Sequence, residues 1–265
     1  MTIIDLCVGH GLMRAMLRAL ALAFLVISTL PAAALVGGAG AAPDSIARSV
    51  VLIVGSRGNS CSGVALARDL VLTAAHCVLP GADYKIVEFD NRQPQLRDVV
   101  SVTAHPKFDL KTMLAHRATA DVALIKLAAP LRDVEPATLG PAMAVAPGDA
   151  FTVAGYGVSV RGDGKTGGTI RAASLIASGR PGNLQIRLVD PNTKGETAGL
   201  GACTGDSGGP VFAMNGPPAL IGVVSWSTGP GNSGGCGGLT GVTPLFLYRD
   251  WVTQTVKTLR NEIRS

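Results

Sequence analysis

The sequence predicts an all-β fold, barrel or sandwich, ending in one helix. Eight short runs rich in Val, Ile and Leu recur along the chain, each bounded by turn residues. No alternating helical pattern lies between them, which argues against βαβ units. Only at the C-terminus does the period change: Tyr248, Trp251, Val252, Val256 and Leu259 recur at helical spacing and predict a helix packing one face on the body. Its aromatic pair reads as core packing rather than as a catalytic or cofactor site.

In order, the strand candidates are Val50 to Val54, Leu70 to Thr73, Tyr84 to Phe89, Val99 to His105 and Val122 to Leu127. Their β-branched side chains suit a pleated, half-buried surface. The Pro-rich stretch from Pro130 to Pro147 is the best linker candidate, since proline cannot donate to a ladder. Phe151 to Tyr156, Leu184 to Val189 and Leu220 to Trp226 follow it. No internal repeat or heptad occurs.

With 265 residues the chain can form one large β domain or two small ones with a buried core. Apolar residues make up 47% and charged ones 15%, a folded rather than a disordered composition. The formal charge of +5 drops to +4 once residues 1–34, with Arg14 and Arg18 against Asp5, are set aside. That excess is spread along the chain with no run of Lys or Arg, so nucleic acid is not an expected partner.

The first 34 residues read as a targeting segment. From Met13, an alternative start, Arg14 and Arg18 form a positive region, Leu20 to Leu30 an apolar one, and Ala32-Ala33-Ala34 a small-residue cleavage site. The rival reading is an uncleaved membrane anchor, because no charge occurs from Ala19 to Ala42; Pro31 and the alanine-rich second half weigh against it. Cleavage implies a secreted or periplasmic protein with no stable membrane anchor. Of five cysteines, Cys7 falls in the removed segment and four remain, a number that allows three disulfide connectivities. Zinc is the alternative use, although no Cys-x-x-Cys pair exists.

Three segments carry chemistry: Thr73-Ala74-Ala75-His76-Cys77, Asp121-Val122-Ala123-Leu124-Ile125-Lys126-Leu127 and Gly205-Asp206-Ser207-Gly208-Gly209-Pro210. A serine hydroxyl is a poor nucleophile at neutral pH and needs a base; an imidazole, ordinarily titrating near pH 6.5, can take its proton and return it. A carboxylate on the far ring nitrogen fixes the tautomer and stabilises the imidazolium. His76, Asp121 and Ser207 supply these three groups, and the glycine-rich turn would aim the NH groups of Gly205 and Ser207 at one point as an oxyanion hole. Taken singly, each has a structural alternative: a core histidine beside a disulfide, a strand cap, a turn residue. His105 and His116 lie in polar segments and read as solvated surface.

The motifs and their order resemble the trypsin-like, chymotrypsin-fold serine protease family, over nearly the whole chain from Leu35 onward. The resemblance implies two antiparallel six-stranded β-barrels: residues 35–140 carrying His76 and Asp121, and 141–265 carrying Ser207 and the terminal helix. It further implies disulfides Cys61 with Cys77 and Cys203 with Cys236, protein or peptide substrates, protein inhibitors as potential partners, and no metal or organic cofactor. Gly155-Tyr156-Gly157 is similar to the family's Gly-aromatic-Gly turn, and Ser225-Trp226-Ser227 to the strand that pairs with bound peptide. Fewer disulfides than animal members, and a divergent stretch from Asn192 to Leu200, look more like a bacterial member. A catalytically silent binding protein on this fold is the competing class. An esterase is disfavoured by the order of the three residues.

Two finer expectations follow from the resemblance. Members that cut after Lys or Arg carry an acid six positions before the nucleophile; here that position is Gly201. With Ala202, Ser227 and Gly241 on the remaining walls, a neutral apolar side chain is expected in the pocket, Glu196 being the alternative source of an acid. Leu35-Val36-Gly37-Gly38 is similar to the family's mature N-terminus, whose α-amino group would pair with Asp206. The cleavage site lies directly before Leu35, so signal peptidase itself would make the active end.

Overall fold

In the computed structural model, residues 35–90, 93–179 and 184–261 are described; the expected leader over 1–34, with Cys7, His10 and the alanine site, lies outside them. A two-residue strand β1 (Gly40–Ala41) and a helical turn α1 (Asp44–Ala47) precede β2 (Val50–Gly55), β3 (Ser60–Ala67), β4 (Leu70–Thr73), β5 (Tyr84–Asp90) and β6 (Gln93–Ala104). After the short α2 (Leu110–Leu114) comes β7 (Ala123–Leu127), and β2-β3-β4-β7-β6-β5 close into an antiparallel barrel. Residues 130–147, with the short β8 (Thr138–Leu139), carry the chain onward.

The second half holds β9 (Ala150–Gly155), β10 (Arg171–Ala177), β11 (Ile186–Val189), β12 (Pro210–Ala213), β13 (Ala219–Ser227) and β14 (Thr240–Pro244), then helix α3 (Arg249–Asn261). Antiparallel pairing runs β9-β10-β11-β14-β13-β12 and returns to β9, a second six-stranded barrel. The expected fold class is therefore the observed one.

All eight expected strands are present, with ends shifted by a residue or two except at β6, which starts at Gln93 on a polar stretch. Four further barrel strands were not expected: β3, β10, β12 and β14. Their sequences, Ser-Cys-Ser-Gly-Val-Ala-Leu-Ala in β3 for example, are rich in small residues or very short, so they lack a strong apolar signature.

Among the described residues three apolar clusters hold the body together. One fills the second barrel around Phe151, Leu175, Leu188 and Val211; another fills the first around Ile53, Val71, Ile86 and Ile125. The third lies between them, joining Leu70, Leu72 and Leu124 to Phe212, Leu220 and Val223, and onto it α3 packs Val252 and Leu259. Each such buried Leu, Ile or Phe is worth about 1.5–3 kcal/mol, so the seam is held as firmly as either interior.

The chain from Leu35 to Ala41, expected with the first barrel, joins the second. Leu35 is fully buried in the second core, Val36 bridges Gly201, and β1 pairs with Arg171 and Ala172 of β10. The reason is an open edge: β11 covers β10 only at Ile176 and Ala177. Among the described residues no helix is long and apolar enough to cross a membrane.

Candidate active site

Strand register brings the sequence motifs to one place. Thr73 at the end of β4 pairs with Ala123 at the start of β7, so His76 and Asp121 emerge at the same end of the first barrel. His76 sits on a single 3-10 turn, Ala75–Val78, tied to β3 by the disulfide Cys61–Cys77. Its backbone NH donates to Asp121 Oδ1 at 3.0 Å, and its Nδ1 lies 2.8 Å from Asp121 Oδ2. A carboxylate oxygen accepts, so the contact suits a proton on Nδ1. Asp121 is fully buried, and its Oδ2 also accepts from Ser225 Oγ at 2.5 Å.

The Ser207 loop reaches the same place from the second barrel. Pro210 of β12 pairs with Val223 of β13, while the NH of Gly208 donates to Val224 O at 2.7 Å and the NH of Val224 to Gly209 O at 2.9 Å. Ser62 of β3 ties this loop to the first barrel by hydrogen bonds. Its NH donates to Ser207 O at 2.8 Å, and its hydroxyl donates to Gly205 O at 2.8 Å while accepting from the NH of Tyr156 at 2.9 Å. Gly208, at φ +76°, is an obligatory glycine: an added Cβ would lie 2.0 Å from Thr73 Oγ1 and 2.4 Å from Ser62 O. Among the described residues, the NH groups of Gly205 and Ser207 donate to no protein acceptor, and no hydrogen bond ends on the Ser207 hydroxyl.

Asp206 points inward. It is fully buried and accepts from the NH groups of Gly157 and Cys203, both at 2.9 Å. Burial pushes its pKa up to about 7, against the pull of those two NH groups and of the Arg171 charge. Gly155 and Gly157 flank the carboxylate so closely that a Cβ on either would lie within 2.5 Å of it. No hydrogen bond or ion pair joins Leu35 to Asp206 among the described residues; in the uncut chain Leu35 has a peptide NH and no charge to offer.

The expected pocket residues divide. Gly201 packs on Gly237, whose Cα would lie 3.1 Å from an added Cβ, and the NH of Ala202 donates to Thr240 Oγ1 at 3.0 Å. The disulfide Cys203–Cys236 ties this wall to the Ser207 loop. Ser227 donates its hydroxyl to Gly235 O at 3.3 Å. Ser225 instead turns its side chain to Asp121, leaving only its backbone for a ligand. Trp226 is buried over Gly241, where a Cβ would lie 2.1 Å from Cε2 of the indole. Glu196 is exposed. A buried carboxylate lies beside Gly199 and Leu200, that of Asp190, and backbone NH groups occupy both its oxygens, Asn192 on one and Leu200 on the other, each at 2.8 Å.

Sequence reasoning missed Ser62, Asp190 and the two remaining histidines. His105 is buried against Tyr248 and Trp251, with its pKa lowered first by burial and then by Lys107. His116 stacks on Trp226, ring centroids 4.5 Å apart. Neither is the solvated surface residue expected; only their place in space, not their flanking residues, distinguishes them. Cys61, His76 and Cys77 also gather three ligand-type atoms within 4.8 Å, but the disulfide consumes both thiolates that a zinc site would need.

Comparison with known proteins shows the family. The family model described as trypsin matches residues 35–252. Human kallikrein-15 is 30% identical over 267 residues, covering 90% of this chain and 98% of that protein. The vitellin-degrading protease of Bombyx mori is 32% identical over 219 residues, covering 76% of this chain and 78% of that protein. Both relatives are animal proteins, so they lend no support to the expectation of a bacterial member.

Proposed function

We propose that His76, Asp121 and Ser207 form the catalytic triad of this chain, which belongs to the trypsin family of serine endopeptidases. Ser207 Oγ attacks the scissile carbonyl as His76 Nε2 takes its proton; the same proton then passes to the leaving amine, and water repeats the sequence on the acyl-enzyme. Asp121 orients the ring and stabilises the imidazolium. The NH groups of Gly205 and Ser207 receive the oxyanion, a contribution of about 3–4 kcal/mol for such a donor. The observation that carries the reading is the 2.8 Å contact of His76 with fully buried Asp121. Substrate runs along Ser225-Trp226-Ser227, whose edge away from β14 pairs with no strand among the described residues.

Specificity and maturation belong to the same proposal. Gly201 brings no charge, and Asp190 is committed to backbone, so a neutral, apolar side chain before the scissile bond is favoured over Lys or Arg. Residues 1–34 act as an export signal whose removal frees Leu35; its ammonium then pairs with Asp206 and orders the oxyanion turn. Labelling by a serine-reactive phosphonate, together with peptide hydrolysis, tests the assignment. Wild-type protein is expected to label and cleave, and Ser207→Ala and His76→Ala to do neither while staying folded. Substantial turnover by Ser207→Ala overturns it.

A further inference from the structure

Beside the substrate edge lies a cavity of about 210 Å³ lined by His116, Arg117, Arg187, Trp226 and Thr228, among others. No carboxylate lines it, and neither arginine forms an ion pair among the described residues. Arg187 lies over the Trp226 ring, its guanidinium carbon 5.4 Å from the centroid. Two donors here are buried without a partner: Arg187 Nε and Trp226 Nε1. A buried NH left without an acceptor costs about 1–3 kcal/mol, more where the group is charged, and the hydrogen bond of the Arg187 guanidinium, from Nη2 to His116 O at 3.4 Å, leaves its charge without a carboxylate. The backbone bears a cost as well. His116 follows α2 at φ +53°, a left-handed conformation unfavourable for a side chain, and from there its ring covers Trp226.

We propose that this cavity is a subsite for an acidic side chain of the substrate. The inference rests on the substrate edge assigned above. A peptide antiparallel to β13, with the residue before the scissile bond opposite Ser225, has its second and fourth upstream residues opposite Trp226 and Thr228. Paired residues share a face, so those two side chains lie on the side of Trp226, His116 and Arg187. A carboxylate there lies against the guanidinium groups of Arg187 and Arg117, which attract an amide of the same shape less strongly because it carries no charge.

The test is a peptide series carrying Glu, Gln or Lys at the second or fourth upstream position, otherwise identical and neutral. The expected Glu to Gln ratio in kcat/KM is roughly ten-fold at one of these positions in low salt, reduced in high salt. Arg187→Gln is expected to bring the ratio within about two-fold. Should that variant not fold, exposed Arg117→Gln lowers the ratio part of the way. A wild-type ratio near one, or a ratio that survives both substitutions, overturns the subsite. Good cleavage of the Gln peptides without preference for Glu sinks the subsite alone, whereas absence of any Ser207-dependent cleavage sinks the reading beneath it. In that second case calorimetric titration of the same peptides decides: tighter binding of Glu than Gln supports the cavity's role, and equal binding ends it.

Discussion

Ser225 Oγ donates to Asp121 Oδ2 at 2.5 Å, across 104 positions of sequence and from one barrel to the other. Asp121 therefore holds His76 with one oxygen already shared, and its charge is supported from the second barrel. Replacing Ser225 by alanine removes a charge-assisted bond worth about 1.5–3 kcal/mol without altering the strand backbone. The expected result is kcat lower by about ten-fold or more with KM little changed. Unaltered kcat in Ser225→Ala would show that the hydroxyl only fills space.

Ser62 is a second cross-barrel tie, and it touches no reacting group directly. Alanine there strands the carbonyl of Gly205 and the NH of Tyr156 in a fully buried place. At about 1–3 kcal/mol for each stranded group, urea denaturation is expected to show a loss of about 2–6 kcal/mol. Because the Gly205 carbonyl belongs to the turn proposed to hold the oxyanion, kcat is expected to fall as well. A stability loss with full turnover would separate the tie from catalysis.

Much of this architecture was legible because its signals are local. The three motifs lie in unbroken runs, and the strong strands carry their own β-branched residues. Register and cross-barrel contact are not local. Ser62 looks like any small residue in Cys61-Ser62-Gly63, and only the closure of two barrels sets it between Gly205 and Tyr156. His116 and Arg187 are 71 positions apart, so nothing in their flanks announces a shared cavity. The resemblance places segment 35–41 with the first barrel, yet the open edge that it joins is on β10.

Gly208 offers a sharper test of how tightly the Ser207 loop is seated. An alanine Cβ would meet backbone atoms at 2.4 and 2.9 Å, in a conformation of φ +76° that side chains avoid. Backbone cannot yield as a flexible side chain would. Gly208→Ala is expected to destabilise by about 3 kcal/mol or more and to abolish phosphonate labelling. Labelling at the normal rate would mean that the loop is free to move away from Thr73 and Ala74.

Asp206 makes stability depend on pH in a direction that reports cleavage before Leu35. In a form extended before Leu35 no ammonium faces it, and burial holds its pKa at about 7, against 3.8 ordinarily. Below about pH 4 the carboxyl is protonated in both folded and unfolded chains and contributes nothing. Between about 4 and 7 the unfolded chain releases its proton while the folded chain keeps it, so stability falls as pH rises. Above about 7 the penalty is complete, on the order of 4 kcal/mol. Asp206→Asn lacks this term, so the measured quantity is the difference in unfolding free energy between wild type and Asp206→Asn at pH 4.5, 6 and 8. In the extended form that difference is expected to turn against wild type as pH rises. In protein beginning at Leu35, an ammonium paired with Asp206 as proposed is expected to draw the carboxyl pKa down, so that the decline flattens or reverses. Identical profiles for the two forms would show that the new amino terminus does not reach Asp206.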